Sequence, residues 1–360
     1  MGGTGMIAAA APEPLQLSTP ASDRRRGRTV LLRDAWITGA TSIAGPWEGR
    51  GPLAVAFDEV LADHLLGQAS WERAESELLR RAFVRLCQHG GYRHEDFDLI
   101  LGGDLLNQTV ASAFAAREVD VPFCGLYNAC ATLGEGLGLA AMLCDGGHCR
   151  RVAVATSSHH DAAERQYRFP TELGNQRPPY AQWTATGAGG FVVESGAEER
   201  AWARITAFTP GRVLDWGVQD PFNMGAAMAP AAADTLAAHL GDLQLRPDEY
   251  SAIYTGDLAR VGVPICEALL RARGLEVHLH DCGTELYHHT RQDVHAGGSG
   301  AACSALVAAA VLLPHLREGG WRRVCLCCTG ALHSPTTYLQ GESIPAIAHA
   351  VTLEACSRGT

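Results

Sequence analysis

The chain has few aromatic residues, few charges and no long apolar run. Aromatics make up 7% and charged residues 19% of 360 residues, so the interior must be built from small aliphatics packed closely, which suits a layered α/β protein. The longest apolar stretch, Ala305 to Leu313, is about half of what a helix needs to cross a bilayer. No membrane span is expected. Basic residues are outnumbered, 29 against 39 acidic ones, for a formal net charge of -10, which argues against a general nucleic-acid binder. P-loop and dinucleotide fingerprints are absent from any strand-turn-helix context, so no ATP or NAD role is indicated. The 12 cysteines lack framework spacing. Several lie inside apolar runs, such as Cys325, Cys327 and Cys328 in VCLCCTG, which points to free thiols in a reducing compartment.

What the chain does have is glycine, 40 residues of it, concentrated around Phe123 to Gly147. There a short apolar strand, Val121 to Leu126, hands over at Cys130 to a helix of small and aliphatic residues from Ala131 to Leu143. Such a helix is buried on all sides. Gly134, Gly136 and Gly138 each cost a helix about 1 kcal/mol relative to Ala, so a close backbone neighbour is expected beside them. A thiol at the first turn meets unpaired N–H groups and the positive end of the macrodipole, the usual place for a nucleophile. The alternative is a small buried hydrophobe, since free Cys is often buried.

Residues 1–28 read as a disordered extension. MIAAAA is too short for a secretory signal, and the segment ends in Arg24, Arg25, Arg26 and Arg28. Two halves follow, 29–200 and 201–360, and the second repeats the first. FDLILGGDL at 97–105 returns as YSAIYTGDL at 250–258, and RRVAVATSS at 150–158 returns as RRVCLCCTG at 322–330. A small-residue helix lies between the members of each pair, Ala131 to Leu143 and Ala301 to Leu313. This is a duplicated β-α-β unit with mostly parallel strands, covered by helices on both faces. Ser70 to His89 is an amphipathic cover helix. Residues 157–183 read as a long polar loop.

A duplicated α/β unit with a cysteine heading its first central helix resembles the thiolase superfamily, over roughly residues 29 to 356. The resemblance implies βαβαβ halves in an αβαβα sandwich and a homodimer formed around Leu105 to Leu126. Within it, GDLLNQ at 103–108, ATSSHHDAAERQYRFPTE at 155–172, MGAAMAPAAADT at 224–235, YTGDL at 254–258, HDCG at 280–283, AGGSGAACSA at 296–305 and SIPAIAHAV at 343–351 together look like the stage V sporulation protein AD family. That family implies a soluble subunit of the SpoVA system, which moves dipicolinic acid, with calcium, into the forming spore and out at germination. It further implies membrane-protein partners and a peripheral place at the spore inner membrane.

Carried over from the superfamily, the nucleophile's position is Cys130. The histidine that condensing enzymes place after the first strand of the second half is Asp257 here, and their asparagine falls on the turn Gly297-Gly298-Ser299-Gly300. Stabilising an enolate suits an imidazole better than a carboxylate, and an anionic Asp257 disfavours a thiolate. A binding protein with a vestigial site is therefore expected, with an acyl-transfer enzyme using Cys130, Asp257, His295 and His349 as the alternative. Dipicolinate, a flat dicarboxylate, calls for cations and backbone donors. Candidates are Cys130, Asn107, Asp104, Asp257, Ser299, Gly298, Arg165, Arg168 and His349, with Arg177 and Arg212 as further cations. His278, His280, Asp281 and Cys282 are metal-ligand types without a spaced second pair, so neither a metal nor a cofactor is expected. The paired histidines His159-His160 and His288-His289 fall in loops.

Overall fold

The repeat spacing returns as hydrogen-bond register. In the computed structural model, which describes residues 24–167 and 177–356, strand β2 (Leu99–Gly103) and strand β4 (Arg151–Ser158) run parallel with Leu99 opposite Val152. Their counterparts, β7 (Ala252–Thr255) and β9 (Arg323–Ala331), run parallel with Ala252 opposite Val324. The same residues of the repeat therefore face each other in both halves.

Each half completes its sheet in the same way. The first half adds β1 (Trp36–Ala44), β3 (Phe123–Gly125) and β5 (Gly187–Glu194), and the second adds β6 (Ala203–Thr209), β8 (His280–Asp281) and β10 (Ala346–Ala355). The order across the whole sheet is β8-β7-β9-β10-β6-β1-β5-β4-β2-β3. Four of the five strands in each half run in the same direction; β5 and β10 are antiparallel to both of their neighbours. The expectation of mostly parallel strands therefore holds within each half, with one reversed strand in each. A β-α-β repeat shows in sequence, whereas the return of β5 and β10 leaves no helical crossover to read. The halves join where β1 meets β6 through two residue pairs, Trp36 with Arg204 and Ile37 with Ala203. Ion pairs repeat too: Arg151 to Glu194 at 2.6 Å and Arg323 to Glu354 at 2.7 Å occupy matching cross-strand positions.

Five layers result. Helix α1 (Trp71–Gly90), started by the Ser70 cap and stopped by Gly91 in a left-handed conformation, covers β1, β4 and β5 beside α2 (Val110–Val119). In the second half α5 (Met224–Leu243) covers β9 and β10 beside α6 (Ala259–Arg271). Between the two half-sheets lie the central helices, α3 (Thr132–Asp145) and α7 (Ala301–Glu318). Helix α7 is long and apolar enough to cross a membrane, but it is mostly buried in this middle layer. A core helix satisfies the same length and composition test.

The glycines of α3 serve different neighbours. At Gly134 an added Cβ would lie 3.0 Å from the backbone oxygen of His349, the close approach expected. At Gly136 it would meet the Val154 side chain at 2.7 Å, and at Gly138 it would overlap the Phe208 ring. Only one of the three therefore accommodates backbone.

Two further expectations change. The arginines ascribed to the extension belong to the fold: Arg25–Arg26 pairs with Thr29–Leu31, Arg24 binds Asp145 at 2.8 Å and Arg28 binds Asp234 at 2.9 Å. The stretch expected as loop from 157 contains helix α4 (His160–Tyr167) and the short strand Trp183–Thr184, which pairs with Gly298–Ser299.

Candidate active site

Cys130 sits where the chain turns from β3 into α3. The residue before it, Ala129, has φ 50°, a left-handed conformation that costs a non-glycine residue about 1 to 2 kcal/mol. The strain places the thiol at the foot of α3, against the turn that opens α7. Gly300 in that turn has φ +106°, which only glycine adopts readily.

Three of the expected residues meet here. Cys130 Sγ lies 3.6 Å from Ser299 Oγ, and Ser299 Oγ donates to Asp257 Oδ2 at 2.8 Å. The Gly300 N–H donates to the same Oδ2 at 3.1 Å, while Thr329 Oγ1 donates to Oδ1 at 2.7 Å. Gln182 Nε2 anchors the strand-end loops by donating to the carbonyls of Asp257 and Gly298, at 2.6 and 3.0 Å. Cys130, Asp257 and Ser299 are 5%, 1% and 1% exposed.

These surroundings decide the state of the thiol. Burial pushes its pKa well above the ordinary value, and the neighbouring Asp257 carboxylate pushes it further; Ser299 and the Gly300 N–H act the other way. A helix dipole contributes about 0.3 to 1 kcal/mol at an exposed terminus, whereas full burial shifts a pKa by up to about 3 to 5 units. Burial wins, and Cys130 is a thiol at neutral pH.

His349 approaches from the other side of the turn without reaching Cys130 in this network. The Gly211 N–H donates to its Nδ1 at 3.1 Å, and Asn128 Nδ2 lies 3.3 Å from its Nε2. Burial lowers the imidazole to about 4, so it is neutral at neutral pH.

Two adjoining spaces open here. A cavity of about 30 Å³ touches Cys130, Ser299, Tyr127, Tyr167 and His333, and a cleft of about 600 Å³ is lined by Asn107, Thr109, Tyr127, Asn128, His333, Ser334 and Thr337 among others. Tyr127 and His333 line both. Tyr127 and Tyr167 join hydroxyls at 2.6 Å, and Tyr167 also donates to the Leu105 carbonyl. The tyrosines thus partition the inner cavity from the cleft. The inner space holds about one water molecule; the outer one lies within the usual range for small-molecule sites, about 300 to 1,000 Å³.

The remaining candidates separate. Asn107 reaches the cleft, where its Oδ1 accepts from Gln166 Nε2 at 3.2 Å. Asp104, the first-half counterpart of Asp257, is a buried structural group: its Oδ1 accepts from the Leu106 N–H and its Oδ2 from the Ser112 N–H and Oγ. Gly298 contributes a carbonyl to Gln182, and Gly300 is the residue whose N–H serves Asp257. Arg165 is committed elsewhere, paired with Glu72 and stacked 4.9 Å from the Trp71 ring. Arg168 lies outside the described residues. Arg177 binds Asp293 at 2.9 Å and Arg212 binds Asp234 at 2.6 Å. His295 pairs with the same Asp293 at 3.3 Å, and His280 with Glu285 at 3.1 Å. Thr329, Tyr127, Tyr167, Gln182 and His333 were not foreseen. The repeat carried a signal for Thr329, which matches Ser157 at the end of the equivalent strand.

Comparison with known structures shows the fold. AbyA1, a tetronic acid condensing enzyme, superimposes with TM-score 0.55 at 17% identity, covering 89% of this chain and 99% of its own. OleA from Xanthomonas campestris gives 0.54 at 14% identity over 90% and 99% of the two chains. The 3-oxoacyl-(acyl carrier protein) synthase III of Pseudomonas aeruginosa gives 0.52 at 13% identity over 91% and 100%. In sequence, stage V sporulation protein AD of Bacillus subtilis is 44% identical over 327 residues, 90% of this chain and 96% of that protein. Residues 26–354 match the family described by the same name. The chain therefore carries a thiolase-like fold and is a sporulation protein, a member of the stage V sporulation protein AD family.

Proposed function

We propose that this protein binds dipicolinate without catalysis, as the soluble subunit of the SpoVA system that moves dipicolinate, accompanied by calcium, into the developing spore and out at germination. On this reading it works as a homodimer held at the spore inner membrane by SpoVA membrane proteins. The observation that carries the reading is Asp257 beside Cys130. A condensing enzyme needs a nucleophile that ionises and donors for a developing oxyanion. Here burial, reinforced by the Asp257 carboxylate, keeps the proton on the thiol, and that carboxylate engages the Ser299 and Thr329 hydroxyls and the Gly300 N–H as its own donors.

The outer cleft supports a small planar acid. Asn107, Asn128, Ser334 and Thr337 offer neutral donors and acceptors, and Tyr127 and His333 offer ring faces. Its lining among the described residues contains no arginine, which favours the electrically neutral calcium chelate over the free dianion. Burying an unpaired double charge would be far more costly.

Calorimetric titration with dipicolinate, with and without calcium and with benzoate as control, tests the reading. Saturable binding strengthened by calcium, not reproduced by benzoate and weakened about tenfold by His333→Ala, is expected. Absence of both heat and thermal shift in the wild-type protein overturns it. The fold neighbours favour one alternative, acyl transfer through Cys130. Intact mass after incubation with an acyl-CoA decides it: an unmodified Cys130 excludes acyl loading under those conditions, and an acylated one replaces the binding-only reading.

A further inference from the structure

A second cluster, separate from Cys130, lies where β4 ends and α4 begins. Its members are His159 directly after β4, Asp161 in the first turn of α4, and His64 from the loop ahead of α1. One ligand atom from each lies within 4.8 Å of the other two.

The hydrogen bonding of His159 gives this grouping chemical direction. The ring is fully buried, and its Nε2 lies 2.8 Å from the His64 carbonyl oxygen. A carbonyl only accepts, so Nε2 carries the proton and Nδ1 is left with its lone pair. That Nδ1 is itself buried without a hydrogen-bond partner, as is Nδ1 of His64, and the nearest carboxylate oxygen, Asp161 Oδ2, is 3.9 Å away. An orphaned buried acceptor is unfavourable, because it loses its hydrogen bonds to water and gains none in exchange. A histidine whose far nitrogen is tied to a backbone carbonyl, with its near nitrogen free and facing another imidazole and a carboxylate, has the arrangement of a metal ligand.

We propose that His64, His159 and Asp161 form a binding site for a divalent transition metal of the zinc type. Two imidazoles and one carboxylate suit zinc and its neighbours rather than calcium or magnesium, which take oxygen ligands almost exclusively. Ligand atoms around tetrahedral zinc stand about 3.3 Å apart when each is about 2.0 Å from the ion, so binding draws the three groups together. The ion would tie the loop at His64 to α4. That helix also carries Tyr167, about 9 Å further along its axis, and Tyr167 walls the cavity at Cys130. Three protein ligands leave a fourth position for water.

The test is equilibrium zinc binding by the full chain, with cobalt(II) as a spectroscopic probe and without dipicolinate, which is itself a chelator. One ion per chain is expected, with cobalt d–d bands of nitrogen and oxygen ligation and no thiolate charge-transfer band, which separates this site from the 12 cysteines. His64→Ala, on a partly exposed loop residue, and Asp161→Asn, which preserves shape, should each weaken binding about tenfold or more. The proposal is overturned if the wild-type chain binds no zinc, if both variants bind as the wild type does, or if the cobalt spectrum is that of thiolate ligation.

Discussion

At Cys130 a residue type that suggests nucleophilic catalysis is held in an environment that suppresses it. The sequence already placed Cys130, Asp257 and Ser299 in one site, because the repeat aligns strand ends and the superfamily supplies the positions. Contacts that depend on distant segments were not legible. Arg165 looks like a ligand cation until Glu72, 93 residues away, pairs with it. Likewise Asp104 and Asp257 occupy equivalent repeat positions but take different partners, Ser112 in one half and Ser299 with Thr329 in the other. If Asp257 holds the thiol protonated, Asp257→Asn lowers the Cys130 pKa. At fixed pH, alkylation of Cys130 should then accelerate about three- to fourfold for each pKa unit recovered, since the thiolate fraction rises faster than its intrinsic nucleophilicity falls. Peptide-resolved mass spectrometry of iodoacetamide labelling reads this rate. An unchanged rate would assign the suppression to burial alone. The variant should also lose about 1 to 3 kcal/mol of stability, because one amide oxygen cannot serve donors on both sides.

Among elements, the helices most easily read were those with the clearest local signals. Helix α1 has its Ser70 cap, its arginine face and Gly91 at its end, and α3 has its run of small residues. The antiparallel strands β5 and β10 were harder, because a buried strand reads the same whichever way its neighbour runs. Glycine inside a helix is another ambiguous signal that packing resolves. Gly138 in α3 has the Phe208 ring where a Cβ would be, whereas Gly241 near the end of α5 has nothing within 4 Å. Gly138→Ala should therefore overpack the middle layer and destabilise by about 1 to 3 kcal/mol. Gly241→Ala should stabilise by up to about 1 kcal/mol through helix propensity alone. Urea denaturation of the two variants compares them directly, and equal effects would show that close approach does not explain the glycines of α3.

At the scale of the whole molecule the two half-sheets continue into one another through β1 and β6, which leaves β3 and β8 as the terminal strands. An exposed strand edge carries unpaired N–H and C=O groups and invites another strand unless it is blocked. Strand β3, Phe-Cys-Gly, has no charge or proline to block it, its Cys124 and Gly125 are exposed, and Phe114 and Tyr127 nearby are 50% and 41% exposed. The edge lies within Leu105 to Leu126, the segment from which a homodimer was expected. We propose that two copies pair there around a two-fold axis, which places each Cys124 near its mate. Cys124 is the one fully exposed cysteine among the twelve, with Cys149 and Cys356 partly exposed, and the chain contains no lysine, so a thiol-directed reagent whose product is lost in Cys124→Ser reports on this edge. A short bis-maleimide should convert the protein to a covalent dimer, Cys124→Ser should abolish that conversion without changing the sedimentation coefficient, and Cys124→Arg should shift sedimentation toward the monomer. A wild-type monomer at micromolar concentration would overturn the pairing, and a dimer that Cys124 cannot cross-link would move it to another face.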